Sequence, residues 1–216
     1  EFHLDKPSAY FQDYARRYTD LPMLVRLVRR DGRYVPDRFL RATDFSDKLA
    51  QANNPDWKTV AFDERSGKVV VPNGSIGFRW GQTDGKWNLE EKEAGGEEAK
   101  LSLSLIDRRD QVAPVAFPYF GGIVNENFAH NEQGNDVLVR HVPVKKLQLA
   151  EGEALVASVF DLLVANYGID RGLGGGNVAS AYEQNVPYTP AWQQSITGVK
   201  AADVITVARQ FADNAD

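Results

Sequence analysis

The sequence predicts an α+β (mixed α/β) protein with an N-terminal helix, a strand-rich middle of short hairpins, and C-terminal helices. Three observations carry that expectation. Apolar residues recur at helical spacing near the start and again after residue 158. Between these stretches, short apolar runs are separated by Asp-Gly, Ser-Gly, Asn-Gly and Glu-Gly turn signals. The composition, 43% hydrophobic and 25% charged over 216 residues, is that of a chain able to bury a core.

From Pro7 to Tyr18 a helix is expected, with Asp5 as its cap and Tyr10, Phe11, Tyr14, Ala15 and Tyr18 at helical spacing. Asp20-Leu21-Pro22 stops it. Met23 to Val28 reads as a buried strand, Asp31-Gly32 turns the chain, and Arg33 to Arg41 continues extended or irregular. A short helix is expected between Thr43 and Leu49, broken by Asn53-Asn54-Pro55. Val60 to Asp63 and Lys68 to Val71 read as a hairpin around Ser66-Gly67.

Lys86 to Glu91 is expected as a strand and Glu93 to Glu98 as a charged surface loop. Ala99 to Ile106 alternates most cleanly, with Leu101, Leu103 and Leu105 on one face and Ser102 and Ser104 on the other. The prolines and paired glycines of Pro114 to Gln133 read as a long loop. Val137 to Val144 and Lys145 to Ala150 are extended, and Glu151-Gly152 turns into Glu153 to Ala157. Ser158 then opens a capped helix, with Asp161 three residues on and Val159, Phe160, Leu163, Val164 and Tyr167 as its apolar stripe. Thr189-Pro190 starts another helix and Gly198 ends it. A last helix, Lys200 to Ala212, is expected to bury Val204, Ile205, Ala208 and Phe211.

Composition also excludes functions. There is no cysteine, hence no disulfide, thiolate metal site, cluster ligand or Cys nucleophile in these residues. A net charge of −5 gives no footprint for nucleic acid. No stretch approaches the ~18 apolar residues of a membrane span, and no signal-peptide pattern opens the sequence. The start at Glu1 and an end directly off a helical pattern lead us to expect an internal piece of a larger subunit.

The candidate chemistry is sparse. Gly172 to Gly176 (GLGGG) matches neither a Walker A motif nor G-x-G-x-x-G after a strand, so a tightly turning linker is favoured over a phosphate loop. The three histidines, His3, His130 and His141, have no metal-ligand spacing. His130 with Glu126 and Glu132 is a cluster able to orient a substrate or an ion, although a solvated surface is the simpler reading. Arg26, Arg29, Arg30, Arg33, Arg38 and Arg41 form a basic run able to meet an anion. In Val71 to Gly81 (VPNGSIGFRWG), Ile76, Phe78 and Trp80 lie two apart, as in a strand with one apolar face. No carboxylate pair is singled out, so no catalytic residue and no metal ligand is assigned and cofactor contacts are left open.

Several long stretches resemble the catalytic alpha subunits of membrane-bound respiratory nitrate reductases, a branch of the molybdopterin oxidoreductases. They are Ala9 to Val25 (AYFQDYARRYTDLPMLV), Asn53 to Phe62 (NNPDWKTVAF), VPNGSIGFRWG, Lys86 to Glu90 (KWNLE) and Phe117 to Gly122 (FPYFGG). Further along come Pro143 to Ala150 (PVKKLQLA), Leu163 to Leu173 (LVANYGIDRGL) and Tyr188 to Val199 (YTPAWQQSITGV), so the likeness covers essentially the whole sequence. The last of these is shared across many molybdopterin oxidoreductases, whereas VPNGSIGFRWG and its flanks are more specific.

The resemblance implies a subunit that reduces nitrate to nitrite in anaerobic respiration. It would use molybdenum held by two molybdopterin guanine dinucleotides and one [4Fe–4S] cluster. It implies an iron–sulfur beta subunit and a haem-containing membrane subunit as partners, on the cytoplasmic side of the membrane. The family's cluster and molybdenum ligands lie upstream of the matched region, so no ligand role is carried onto any residue here. The segment is expected to be inactive alone and architectural. Residues 1–50 would end an α/β domain, 51–157 would form a strand-rich excursion, and 158–216 would enter the next domain. Apolar surface that packs on the rest of the subunit is expected to stand exposed and to favour self-association. The alternatives are a stand-alone anion-binding or scaffold module using Arg26 to Arg41, and a hydrolase using carboxylates and His130.

Overall fold

The computed structural model describes residues 8–49, 54–74, 89–93, 95–119 and 137–214. In chain order its strands are β1 (Leu24–Arg30), β2 (Arg33–Phe39), β3 (Ala61–Phe62), β4 (Val69–Val70), β5 (Gln111–Pro118), β6 (Val137–Leu149) and β7 (Gly152–Ser158). Its α-helices are α1 (Ala9–Tyr18), α2 (Val159–Asn166), α3 (Pro190–Thr197) and α4 (Ala201–Asp213). The α+β class expected from the sequence is what forms.

Five strands close into a barrel in the order β1-β2-β5-β6-β7, with β7 pairing back onto β1. All links are antiparallel except β2 to β5, which is parallel and rests on Tyr34 opposite Val115. Two tight turns set the register. Asp31 (φ 51°) and Gly32 (φ 76°) both take positive φ, as an Asp-Gly turn of type I′ requires, and bring Arg30 opposite Arg33. Ala150-Glu151 places Leu149 opposite Gly152.

Side chains two apart point to one face of a strand, so β1, β6 and β7 divide their apolar residues between two cores. Val25 and Leu27 of β1, Ala113, Val115 and Phe117 of β5, and Val142 and Val144 of β6 share one cluster with Leu162 and Ala165 of α2. The neighbouring positions Leu24 and Val156 belong to a second cluster. There they meet Leu40, Ala42, Val60, Phe62, Val71 and Leu105 from the excursion that follows β2. A third, smaller cluster joins Met23, Ala61, Val70, Ala99 and Leu101.

Several caps fall where residue chemistry predicts them. Ser158 Oγ accepts the Asp161 N–H at 3.0 Å and Thr189 Oγ1 the Trp192 N–H at 3.1 Å, while Gly198 ends α3 at φ 76°. The hairpins β3–β4 and β6–β7 also form as expected.

Other expectations are corrected. The first helix starts at Ala9, capped by Ser8 Oγ on the Phe11 N–H at 3.0 Å; Asp5 and Pro7 lie outside the described residues. Thr43 to Leu49 makes only the 3₁₀ turn Ala42–Asp44, because Lys48 and Leu49 take positive φ and carry Leu49 back onto the second cluster. Ala99 to Ile106 forms no ladder, only a bridge from Leu101 to Asp63 and a 3₁₀ turn at Ile106–Arg108. Leu101 and Leu105 are buried as the alternation predicts, but the serines are not a solvent face: Ser102 is buried and both serines bond inward.

Pro114 to Pro118, read as loop, belongs to β5 and pairs with β6 throughout. Both prolines take exposed positions, and the strand on β5's other side meets it at a single bridge, so the ladder tolerates the missing donors. In α2 the buried face holds Phe160, Asp161, Leu162, Val164 and Ala165, whereas Leu163 and Tyr167 point outward. In α4 the expected core residue Phe211 is 79% exposed. Residues 86–88 of the expected Lys86 to Glu91 strand lie outside the described residues. No described helix is long and apolar enough to cross a membrane.

Candidate functional site

The densest polar chemistry lies where α2 meets the barrel. The Ser158 cap starts α2 so that Asp161, at its first turn, faces inward and is buried. Oδ1 of Asp161 accepts from Ser104 Oγ at 2.7 Å and Arg171 Nη1 at 2.5 Å. Oδ2 accepts from the Leu105 N–H at 2.7 Å and Ser158 Oγ at 2.9 Å. Four donors satisfy the four principal acceptor directions of a carboxylate, and the helix N-terminus adds a favourable field. Arg171 also donates to Ser104 Oγ at 2.7 Å and lies 5.7 Å from the centre of the Phe160 ring. A carboxylate so fully engaged has no acceptor left for a substrate proton; its work is to bind the 99–106 segment, α2 and the loop after it into one unit.

A second buried cation stands nearby. Arg140 of β6 is fully buried, and no carboxylate is among the partners identified for it. Its Nε donates to Asn177 O at 2.9 Å, Nη2 to Pro187 O at 3.2 Å, and Nη1 to Asn166 O, the last helical residue of α2. Carbonyls at a helix C-terminus carry partial negative charge, which suits a guanidinium. The Tyr188 ring lies 5.3 Å from Arg140 Cζ, and its hydroxyl donates to Pro118 O at 3.0 Å. Burial lowers the Arg140 pKa and Tyr188 opposes that shift.

His141, the next residue of β6, rests against the glycine-rich loop. Its Nδ1 lies 2.9 Å from Leu173 O, and since a carbonyl only accepts, Nδ1 carries the proton. A Cβ added at Gly175 would lie 3.0 Å from His141 Cγ. Gly172, Gly174 and Gly175 all take positive φ. The GLGGG run therefore lets backbone lie flat against the imidazole, in agreement with a tightly turning linker. The space enclosed by His141, Asp161, Asp170, Arg171 and Gly174 is about 10 Å³, room for about one water and no substrate.

Three arginines of the basic run are paired with two carboxylates. Arg26 and Arg30 both reach Asp37, at 2.7 and 3.3 Å. Arg38 grips Asp44 through both Nη atoms, at 2.8 and 2.6 Å, and Arg41 donates to Asp56 O at 2.9 Å. Arg29 stacks over Tyr34 at 5.2 Å.

Of the residues singled out in the sequence, His3, Glu126, His130, Glu132 and residues 75–81 lie outside the described residues. Among the described residues, no group of three or more His, Asp or Glu is placed to hold a metal ion. Asp161, Arg171, Ser104 and Arg140 were missed as a polar centre. The available signal was an acidic residue inside an otherwise apolar helix, with an arginine ten residues on.

No family model matches the chain. It is 57% identical over 218 residues to the respiratory nitrate reductase 1 alpha chain of Escherichia coli strain K12, and 57% over 217 residues to the respiratory nitrate reductase 2 alpha chain of the same strain. It is 39% identical over 217 residues to the nitrate reductase alpha chain of Bacillus subtilis strain 168. Each alignment takes in 100% of this chain and 16 or 17% of the relative, so the chain spans about one sixth of the length of the curated relatives it matches.

Proposed function

We propose that this chain, which belongs along its whole length to the nitrate reductase alpha-chain family, is an internal architectural portion of the catalytic subunit of a nitrate reductase. The observation that carries this reading is the 57% identity sustained over 218 residues with every part of the chain aligned. The parent subunit would reduce nitrate to nitrite with quinol-derived electrons. It would carry molybdenum with two molybdopterin guanine dinucleotides and one [4Fe–4S] cluster. Its partners would be an iron–sulfur beta subunit and a haem-containing membrane subunit on the cytoplasmic side of the membrane.

The described residues offer no ligand set for the metal groups. The sequence has no cysteine to bind a cluster, and among the described residues no three-ligand group exists. Asp161 is saturated by four donors. In this reading the metal ligands lie in other parts of the subunit, and these residues contribute a barrel with helices set on it.

Nitrate reduction with a reduced dye as donor tests the reading. The full-length gene product, loaded with its cofactors, is expected to turn nitrate over, and residues 1–216 alone are not. A full-length preparation carrying its metal groups but inert toward nitrate would overturn the assigned reaction. Turnover by the isolated residues would overturn the architectural role.

A further inference from the structure

Asn73-Gly74 is the one Asn-Gly pair among the 216 residues. The side-chain amide of such an asparagine is open to attack by the next backbone nitrogen, because glycine has no Cβ to obstruct the approach. The pair sits at a turn, with Gly74 at φ 81°. Residues 89–93 hold Asn73 at three points. Its N–H donates to Lys92 O at 2.8 Å, its carbonyl accepts the Glu90 N–H at 3.0 Å, and Nδ2 donates to Glu93 O at 2.9 Å. Pro72 forms a bridge with Glu93 beside them. The segment is anchored in turn to α1, by the Leu89 N–H on Arg17 O at 2.7 Å, and to Ala99, whose N–H donates to Glu91 O at 2.9 Å.

We propose that Asn73 is a deamidation site held closed by residues 89–93, and that its conversion loosens that segment irreversibly. In the reaction the Gly74 nitrogen loses its proton to a solvent base and bonds to Asn73 Cγ. The Cγ–Nδ2 bond breaks, and the amide nitrogen takes up a proton and leaves as ammonia. One water then opens the resulting cyclic imide, giving aspartate or isoaspartate at position 73. Closing the ring requires rotation about Asn73 ψ and χ1. The first swings the carbonyl away from the Glu90 N–H and the second pulls Nδ2 off Glu93 O, so the native bonds oppose both movements. Afterwards the lock cannot re-form. A carboxylate has no proton for Glu93 O and sets acceptor against acceptor. Isoaspartate also adds a carbon to the main chain and so displaces the bonds on either side. The surroundings are already anionic: burial, then the Glu97 and Asp63 charges, push the Glu93 carboxyl up.

Peptide mapping of the full-length chain, aged at mildly alkaline pH, tests this. Asn73 is expected to convert to aspartate and isoaspartate in the chain unfolded in guanidinium. In the native chain conversion should be about tenfold slower or more, the factor that breaking one or two hydrogen bonds amounts to. Glu90→Pro removes the donor to the Asn73 carbonyl and should speed the native reaction several-fold. No conversion in the unfolded chain would overturn the site. Equal native and unfolded rates, or no acceleration by Glu90→Pro, would overturn the lock. Hydrogen exchange in the Asn73→Asp variant tests the release: the Glu90 amide is expected to exchange about tenfold faster than in the parent chain. The converted fraction of aged native protein gives the same reading without a substitution. Unchanged exchange at Glu90 in either would overturn the loosening.

Discussion

Asp161 and Arg171 form a 2.5 Å ion pair in which the carboxylate is wholly removed from water and the guanidinium nearly so. The pair joins the first turn of α2 to the loop behind it, and through Ser104 it also holds the segment before the 3₁₀ turn at Ile106–Arg108.

Asp161→Ala is expected to destabilise the protein by about 3–5 kcal/mol, because it leaves a nearly buried guanidinium and three further donors without their acceptor. Arg171→Ala should cost less, about 1–3 kcal/mol, since the carboxylate keeps its other donors. Urea midpoints at constant slope measure both. A loss below about 1 kcal/mol for Asp161→Ala would show that the pair is not a structural centre.

Arg140→Met should also destabilise strongly. The carbonyls of Asn166, Asn177 and Pro187 would lose their donor inside the protein, at about 1–3 kcal/mol for each that finds no water. Arg140→Lys is expected to recover only part of the loss, because an ammonium cannot reproduce the planar fork that reaches three directions. Equal stability of the two variants would count against the clamp.

Gly168→Ala and Gly172→Ala separate strain from collision. Both glycines have positive φ, near 70°. A Cβ at Gly168 would meet Arg140 Nη2 at 2.6 Å and Asn177 O at 3.0 Å, whereas at Gly172 nothing lies within 4 Å. Gly172→Ala should cost about 1–2 kcal/mol from backbone conformation alone. Gly168→Ala should cost clearly more, and thermal melts of the two proteins should rank them in that order.

Acid stability should depend on Asp44, Asp63 and Asp110. The Arg38 guanidinium bonds hold Asp44 below the usual carboxylate range, and the Lys146 N–H does so for Asp110. Burial pushes Asp63 up, but bonds from Ser66, Lys100 and Arg65 outweigh it, and its pKa also falls. For a lowered folded pKa the unfolded chain binds more protons, so stability rises with pH through the transition. These contributions are complete above the unfolded Asp value of about 3.9 and are lost as pH falls through the lower folded values. Urea midpoints followed from about pH 5 down to pH 2 should therefore fall, and Asp44→Asn should flatten that limb. An unchanged limb would refute the assignment for Asp44.

Local chemistry was legible wherever it decides the outcome within a few residues. Ser158, Thr189 and Gly198 act as the caps their types predict, and Asp31-Gly32 makes the turn its pair prefers. The polar centre was half visible. Ser158 and Asp161 stand out as a capping pair, but the inward turn of Asp161 depends on Ser104 and Leu105, more than fifty residues away in sequence. Tyr167 matched the apolar stripe by spacing yet lies outside, because α2 meets the barrel through Leu162 and Ala165.

By itself the sequence determined the α+β class, the β3–β4 and β6–β7 hairpins, the caps at Ser158, Thr189 and Gly198, and the likeness to nitrate reductase alpha chains, since each rests on residues that act on near neighbours or on the order of residues along the chain. Tertiary structure decided that five strands close into a barrel, that a proline-bearing segment becomes β5, and that the cleanest alternation, Ala99 to Ile106, forms no ladder. A strand exists only where a partner offers its backbone groups in register. Which partner arrives is set by contacts between residues far apart in sequence, and periodicity along one segment does not contain it.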